Sequence, residues 1–214
     1  ELTLQQPFND WQRDLPQALR SDSLQLRIAA SSDPGELPDT LAGRALPLTI
    51  DLRGKGPTPF ELRGRLALAN APPWALQLSE AQFETSSPNL HLGDWTAHQV
   101  AATLHFDAYL DRQRLSLDLR PESLLRVAKL SGPDLRLERL SADLNDLQLN
   151  AQLSDDAIRD WRLEGASTLT AQRLSHAALH PQGWRWEGRL KATEERLELD
   201  GQVAADVGLR LPFQ

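Results

Sequence analysis

Residues 184–203 read Trp184-Arg185-Trp186-Glu187-Gly188-Arg189-Leu190-Lys191-Ala192, then Thr193-Glu194-Glu195-Arg196, then Leu197-Glu198-Leu199-Asp200-Gly201-Gln202-Val203. Apolar or small residues hold the even positions from 184 to 192, and charged residues hold the odd ones. After four polar residues the parity reverses. Successive side chains of a strand point to opposite faces, so this alternation predicts a β-hairpin with one apolar face and one ionic face.

The same pattern extends outward along the chain. Leu24, Leu26 and Ile28 alternate with polar residues, as do Leu46, Leu48, Ile50 and Leu52 before a turn at Gly54-Lys55-Gly56-Pro57. Phe60, Leu62, Leu66 and Leu68 follow, then Trp74, Leu76 and Leu78, with Phe83 and Leu90 to Leu92 read as further short strands. Val100, Ala102, Leu104, Phe106, Ala108 and Leu110 form the longest clean alternation, and Leu115, Leu117 and Leu119 return after the polar turn at 111–114. Leu135, Leu137, Leu140, Leu144, Leu147, Leu149 and Leu153 mark two or three short strands, and Trp161, Leu163, Ser167 and Leu169 another. Trp95 falls between strands, and Leu174 and Leu179 lie in an irregular link. The run Val207, Leu209, Leu211 and Phe213 is still alternating where the sequence ends. Roughly a dozen strands at this spacing predict an antiparallel meander.

Helix is expected only locally. Phe8, Trp11 and Leu15 have helical spacing, suggesting a short helix over 8–15. Residues 121–130 are the best candidate, with Pro121 at a first helical position, Leu124, Leu125, Val127 and Leu130 on one side, and Gly132-Pro133 as the stop. Ser154-Asp155-Asp156 could cap a helical turn through Ile158.

Composition bounds the function. The 214 residues carry a net charge of -7, and the pI is near 5.2, which argues against a nucleic-acid partner. No Cys is present, so disulfides, thiolate metal sites and thiol nucleophiles are excluded. No Met is present either, which reads as a single β-rich domain over 1–214 taken from a longer protein. No run approaches the roughly 20 apolar residues of a spanning helix. The histidines at 91, 98 and 105 are spaced seven apart, and His176 and His180 four apart, but a strand would send His98 to the face opposite the other two. The acid pairs Asp155-Asp156 and Glu194-Glu195 fall in turns. No catalytic, phosphate-binding or dinucleotide motif is present. The reading is therefore non-enzymatic, with no metal and no cofactor. Trp74, Trp161, Trp184 and Trp186 begin strands, where aromatics pack a core or contact a ligand at a groove mouth.

Glycine recurs within the apolar row at Gly64, Gly165, Gly188 and Gly201. Glycine inside a strand costs about 0.5–1 kcal/mol relative to Ala, so its recurrence points to sharp curling of the sheet or to close approach of another group. An apolar sheet face of this size must be covered by a second sheet, by closure into a barrel, or by something apolar held in a groove.

The recurring L-x-G-x-L strands, the Leu197-Glu198-Leu199-Asp200-Gly201-Gln202-Val203 run and the strand around Gly188 resemble the AsmA-like proteins of the Gram-negative envelope. The YdbH-like branch is nearest in texture, and TamB-type proteins are more distant; an N-type accessory protein of pseudopilin secretion shares the texture. Over about residues 45–213, this resemblance implies a long, strongly curved, taco-like antiparallel meander with a continuous hydrophobic groove. It implies a periplasmic location, an inner-membrane anchor outside this sequence, and passage of phospholipid acyl chains between inner and outer membranes. The expected groove residues are Leu48, Ile50, Leu62, Leu66, Leu104, Phe106, Leu117, Leu163, Leu190, Leu199 and Val203. The alternatives are a closed β-sandwich or barrel as the fold, and an assembly module of an envelope or secretion complex that binds partner proteins through edge strands.

Overall fold

The computed structural model describes residues 2–4, 21–30, 45–69, 75–154, 157–176 and 181–206. They form thirteen strands and, among the described residues, no helix. The strands are β1 (Leu2–Leu4), β2 (Ser23–Ala30), β3 (Ala45–Lys55), β4 (Phe60–Ala69), β5 (Leu76–Leu92), β6 (Trp95–Leu110), β7 (Arg114–Leu119), β8 (Leu124–Ser131), β9 (Leu135–Asp143), β10 (Gln148–Ser154), β11 (Ala157–His176), β12 (Gln182–Thr193) and β13 (Leu197–Asp206). All pairings are antiparallel and join one sheet.

The apparent branching in the middle of the sheet has a simple geometry. β7 pairs with the C-terminal end of β6, and β8 continues in the same direction along the N-terminal end. β9 and β10 then return together, flanked by β8 and β7 on one side and by β11 on the other. Each couple is thus one long strand interrupted by an irregular segment, at 120–123 and at 144–147. The chain is a simple meander, as its alternation predicts.

Among the described residues the sheet is a single open layer. β1 and β13 are its two ends and do not pair with each other. Substantial contacts between strands occur only between hydrogen-bonded neighbours. Among the described residues the strands neither stack in two layers nor close on themselves, so neither the sandwich nor the barrel describes them.

A line of irregularities crosses the sheet. In β5, Glu80 is an extra residue: Leu78 pairs with Ala108, but Ala81 pairs with Phe106. Glu80 has a φ of 51°, and its amide donates to Asp107 Oδ1 at 3.0 Å. On the next rungs the line continues through 120–123 and 144–147. Ser123 is fully buried there; its hydroxyl lies 3.0 Å from the His105 carbonyl and 2.8 Å from the Arg120 carbonyl, and it accepts the His105 amide at 3.0 Å. The line ends in glycines. At Gly165 (φ 151°) a β-carbon would collide with the Asp146 carbonyl. Gly188 and Gly201 pair directly, and a β-carbon on Gly201 would lie 2.7 Å from the Gly188 α-carbon. The recurrent glycines therefore sit on a bulged crease where the backbones crowd, and bulges of this kind bend and coil a sheet.

A second line needs no register shift. Gln99 and Arg139 have φ of 50° and 52°, and the pairings on either side of Gln99, Ala128 and Arg139 keep one register. Each strand resets its parity at the same height: Val127 and Leu137 are buried on either side of it, opposite the half-buried Leu140 and Leu130. This line overturns the helix expected over 121–130. The spacing of Leu125, Val127 and Leu130 looks helical because a strand parity reset separates the last two. Residues 121–123 belong to the crease, and β8 occupies the rest.

Other expectations change for similar reasons. Phe83 and Leu90 lie in the same 17-residue strand as Leu76 and Leu78, because the Glu80 bulge resets parity without ending the strand. Trp95 opens β6, Leu174 lies within β11, and Gly54 and Lys55 belong to β3. Of the helical turn expected from Ser154 through Ile158, Asp155 and Asp156 lie outside the described residues, and Ser154, Ala157 and Ile158 belong to strands that pair with each other. The suggested helix over 8–15 and the run at 207–213 lie outside the described residues.

Candidate functional site

Register decides which side chains share a face. One row crosses nine strands: Leu48, Leu66, Leu78, Ala108, Leu117, Leu149, Leu163, Ala192 and Leu197, each paired with the next. Eight interstrand steps give it a contour of roughly 38 Å. A second row, on the other side of the crease, runs through Leu24, Gly54, Phe60, Thr85, Ala102, Leu125, Ala142, Leu169, Trp186 and Val203. Between them lie shorter rows, among them Leu26, Leu52, Leu62, Phe83 and Leu104, and also Gly165, Leu190 and Leu199. No charged side chain occupies any of these rows.

The structure brings all eleven expected residues onto this one face. Leu48, Leu66, Leu117 and Leu163 belong to the first row, Val203 to the second, and Leu62, Leu104, Leu190 and Leu199 to the shorter rows. Ile50 lies between Ile28 and Gly64, and Phe106 between Ala81 and Leu119. Leu78, Ala81 and Phe106 form a buried cluster, with Ile50, Leu62, Leu66, Phe83, Leu104 and Leu117 packed against it. Toward the ends of the sheet the face opens: Ile28 is 48% exposed, Leu199 53%, and Leu197 and Val203 63%.

Sequence reasoning missed much of the second row, including Leu125, Ala142, Leu169 and Trp186. The signal that could have found them is alternation read across the parity resets. It also missed the hydroxyls on this face. Thr85 is in the second row, Ser87 follows it at i+2 on β5, and Ser167 precedes Leu169 by two on β11. Thr85 donates to the Pro59 carbonyl at 2.8 Å, Ser87 to the Asn89 carbonyl at 3.0 Å, and Ser167 to the Asp143 carbonyl at 2.8 Å.

Among the aromatics, Trp186 is buried, the Phe60 and Phe83 rings stack at 5.8 Å, and the Trp95 ring covers Gly132. Trp161 and Trp184 are half-buried, and Trp74 lies outside the described residues.

The opposite face is ionic. Arg53 bonds Asp51 at 3.0 Å and Glu61 at 2.9 Å, and Arg63 also pairs with Glu61. The hydrogen bond that Arg53 donates to Asp51, joined by the charges of Asp51 and Glu61, raises the Arg53 pKa. Two hollows of about 560 and 860 Å³ carry both signs of charge, with Glu164 shared, Lys191, Glu198 and Asp200 in the first, and Arg114, Asp160 and Arg162 in the second. The histidines have separate partners: His91 faces Thr96 at 3.1 Å, His98 faces Asn89 at 2.5 Å, and His176 faces the Asp134 carbonyl at 2.9 Å. Among the described residues, no three His, Cys, Asp or Glu side chains converge as a metal site would require.

Neither a protein-family model, nor a curated protein, nor a solved structure matches this chain.

Proposed function

We propose that the chain is a non-enzymatic segment of a lipid conduit that carries phospholipid acyl chains along its apolar face. The observation that supports this reading most is the uncharged face, continuous across nine and ten strands, with no second layer over it among the described residues. Such a face is costly to leave in water, and an alkyl chain gains about 0.8 kcal/mol for each methylene fully buried against apolar surface. In the first row adjacent rungs present Leu or Ala at the same height. Moving a chain by one rung, about 4.8 Å, exchanges one set of contacts for a nearly equivalent set, which favours sliding over tight capture. Headgroups remain in water.

The resemblance to AsmA-like envelope proteins of the YdbH and TamB kind fits this reading. On this reading the segment works in the periplasm, between inner and outer membranes, and is held to the inner membrane by a part of the protein outside this sequence. Native mass spectrometry of protein purified without detergent tests the reading. Phospholipid adducts and lipid in the organic extract are expected, and a clean unliganded mass with an empty extract would refute it.

A second reading, an assembly module that binds a partner protein through an edge strand, is favoured by β13. Its apolar Leu197, Leu199 and Val203 are the most exposed of the large hydrophobic side chains, and among the described residues it pairs only with β12.

A further inference from the structure

The ionic side of the sheet pairs arginine with acid by a local rule. Arg53, Arg63, Arg162 and Arg185 each reach a carboxylate two residues away, where a strand returns to the same face. β8 and β9 depart from it. Arg126, Lys129 and Arg139 have no acid at either such position, and Glu138, two residues from Arg136, is taken across the strands by Arg173 at 3.3 Å. These four cations are exposed, and among the described residues none of them is in an ion pair. Small residues stand opposite two of them: Ala101 and Ser141 flank Arg126, and Ser131 and Ser175 flank Arg136. In a chain of net charge -7 this is an island of uncompensated positive charge.

We propose that this island docks an extended acidic segment of a partner protein, whatever the apolar face holds. The cations span about 16 Å along the strands, the reach of about five extended residues, and one interstrand step of about 4.8 Å across. Three of the four are arginines, whose planar guanidinium groups take carboxylates two bonds at a time. β8 and β9 are central strands flanked by β6 and β11, so a partner meets side chains here and no free backbone edge. Acids close both ends of the island: Asp94 and Asp134 in the turns at one end, Glu122 and Asp143 toward the crease at the other. A broad anionic plane such as a membrane surface would press on those acids, whereas a short segment ends before them. Neither β8 nor β9 carries a Phe, Tyr or Trp on which a nucleobase could stack.

The test is fluorescence anisotropy of a labelled hexaglutamate peptide titrated with the whole chain at low and at physiological salt. Binding that weakens as salt rises is expected. Arg126→Ser, Lys129→Ser, Arg136→Ser and Arg139→Ser each weaken it about two- to fivefold, the worth of one exposed charge pair, and the quadruple variant loses at least about tenfold. Arg136→Lys, which keeps the charge, retains more binding than Arg136→Ser. Arg189→Gln with Lys191→Gln removes two cations from β12 and leaves binding within about twofold. Should the quadruple variant lose its cooperative urea transition, the four single ones decide. No binding of the peptide, or binding unchanged by these substitutions, overturns the docking surface. Tighter binding of a single-stranded oligonucleotide of equal charge or of phosphatidylglycerol vesicles, lost in the same variants, overturns the choice of a protein partner.

Discussion

Leu199→Asp separates an uncovered apolar face from a packed core. Leu199 lies on β13, pairs with Leu190 and is 53% exposed. Complete burial of a leucine side chain contributes roughly 1.5–3 kcal/mol, so the buried half accounts for about 0.7–1.5 kcal/mol. Aspartate disfavours strands by up to about 1 kcal/mol, and Glu198 and Asp200 next to it add a small repulsion. The expected loss of stability is therefore about 1–2.5 kcal/mol, read as a shift of the urea midpoint with an unchanged slope. Binding of an alkyl-chain fluorophore should fall tenfold or more, because the carboxylate would have to lose its water beside hydrocarbon. Phe106→Leu, on the same face but in the buried cluster, controls for simple loss of packing and should leave most of the binding. A loss above about 4 kcal/mol would mean that Leu199 is covered by a layer, and the single-layer architecture would be wrong. A stable variant with unchanged binding would remove the face from any role in holding lipid.

Three further outcomes follow from the crease and the hairpins. Ser123→Ala leaves the part-buried His105 amide without its acceptor and should cost about 1–3 kcal/mol in chemical denaturation, a large effect for the loss of one oxygen. Gly188→Val forces a side chain into the Gly201 and Asp200 backbone, so hydrogen exchange should accelerate along β12 and β13; protection equal to wild type would refute the crowding described at the crease. The Asp111 carboxylate accepts the amides of Gln113 and Arg114, each at 2.8 Å, and the Gln113 hydrogen bond leads the effects that hold its pKa below the usual range. Its contribution to the β6–β7 hairpin is thus fully present above the ordinary aspartate pKa near 3.9 and is lost as pH falls through the lower folded value. Asp111→Asn should flatten that part of the acid-denaturation profile.

The sequence by itself determined the strand content, the antiparallel order and the identity of the apolar face. Alternation with a period of two, interrupted by short polar turns, leaves little else for Leu104, Phe106 and Leu117 to do. It could not distinguish a parity reset at a turn from one inside a strand. The Glu80 bulge therefore read as a strand end, and the reset at Ala128 read as a helix, because both add one residue to a local pattern. Only the pairing partners resolve them: Leu78 to Ala108 and Ala81 to Phe106 show one continuous strand, and Val127 opposite both Val100 and Leu140 shows a central one. Whether the apolar face is covered is also beyond local pattern, since a strand facing a second sheet and a strand facing a groove carry the same alternation. For the described residues the tertiary structure decided this, because coverage depends on where distant strands lie, and there the substantial strand contacts are all between hydrogen-bonded neighbours.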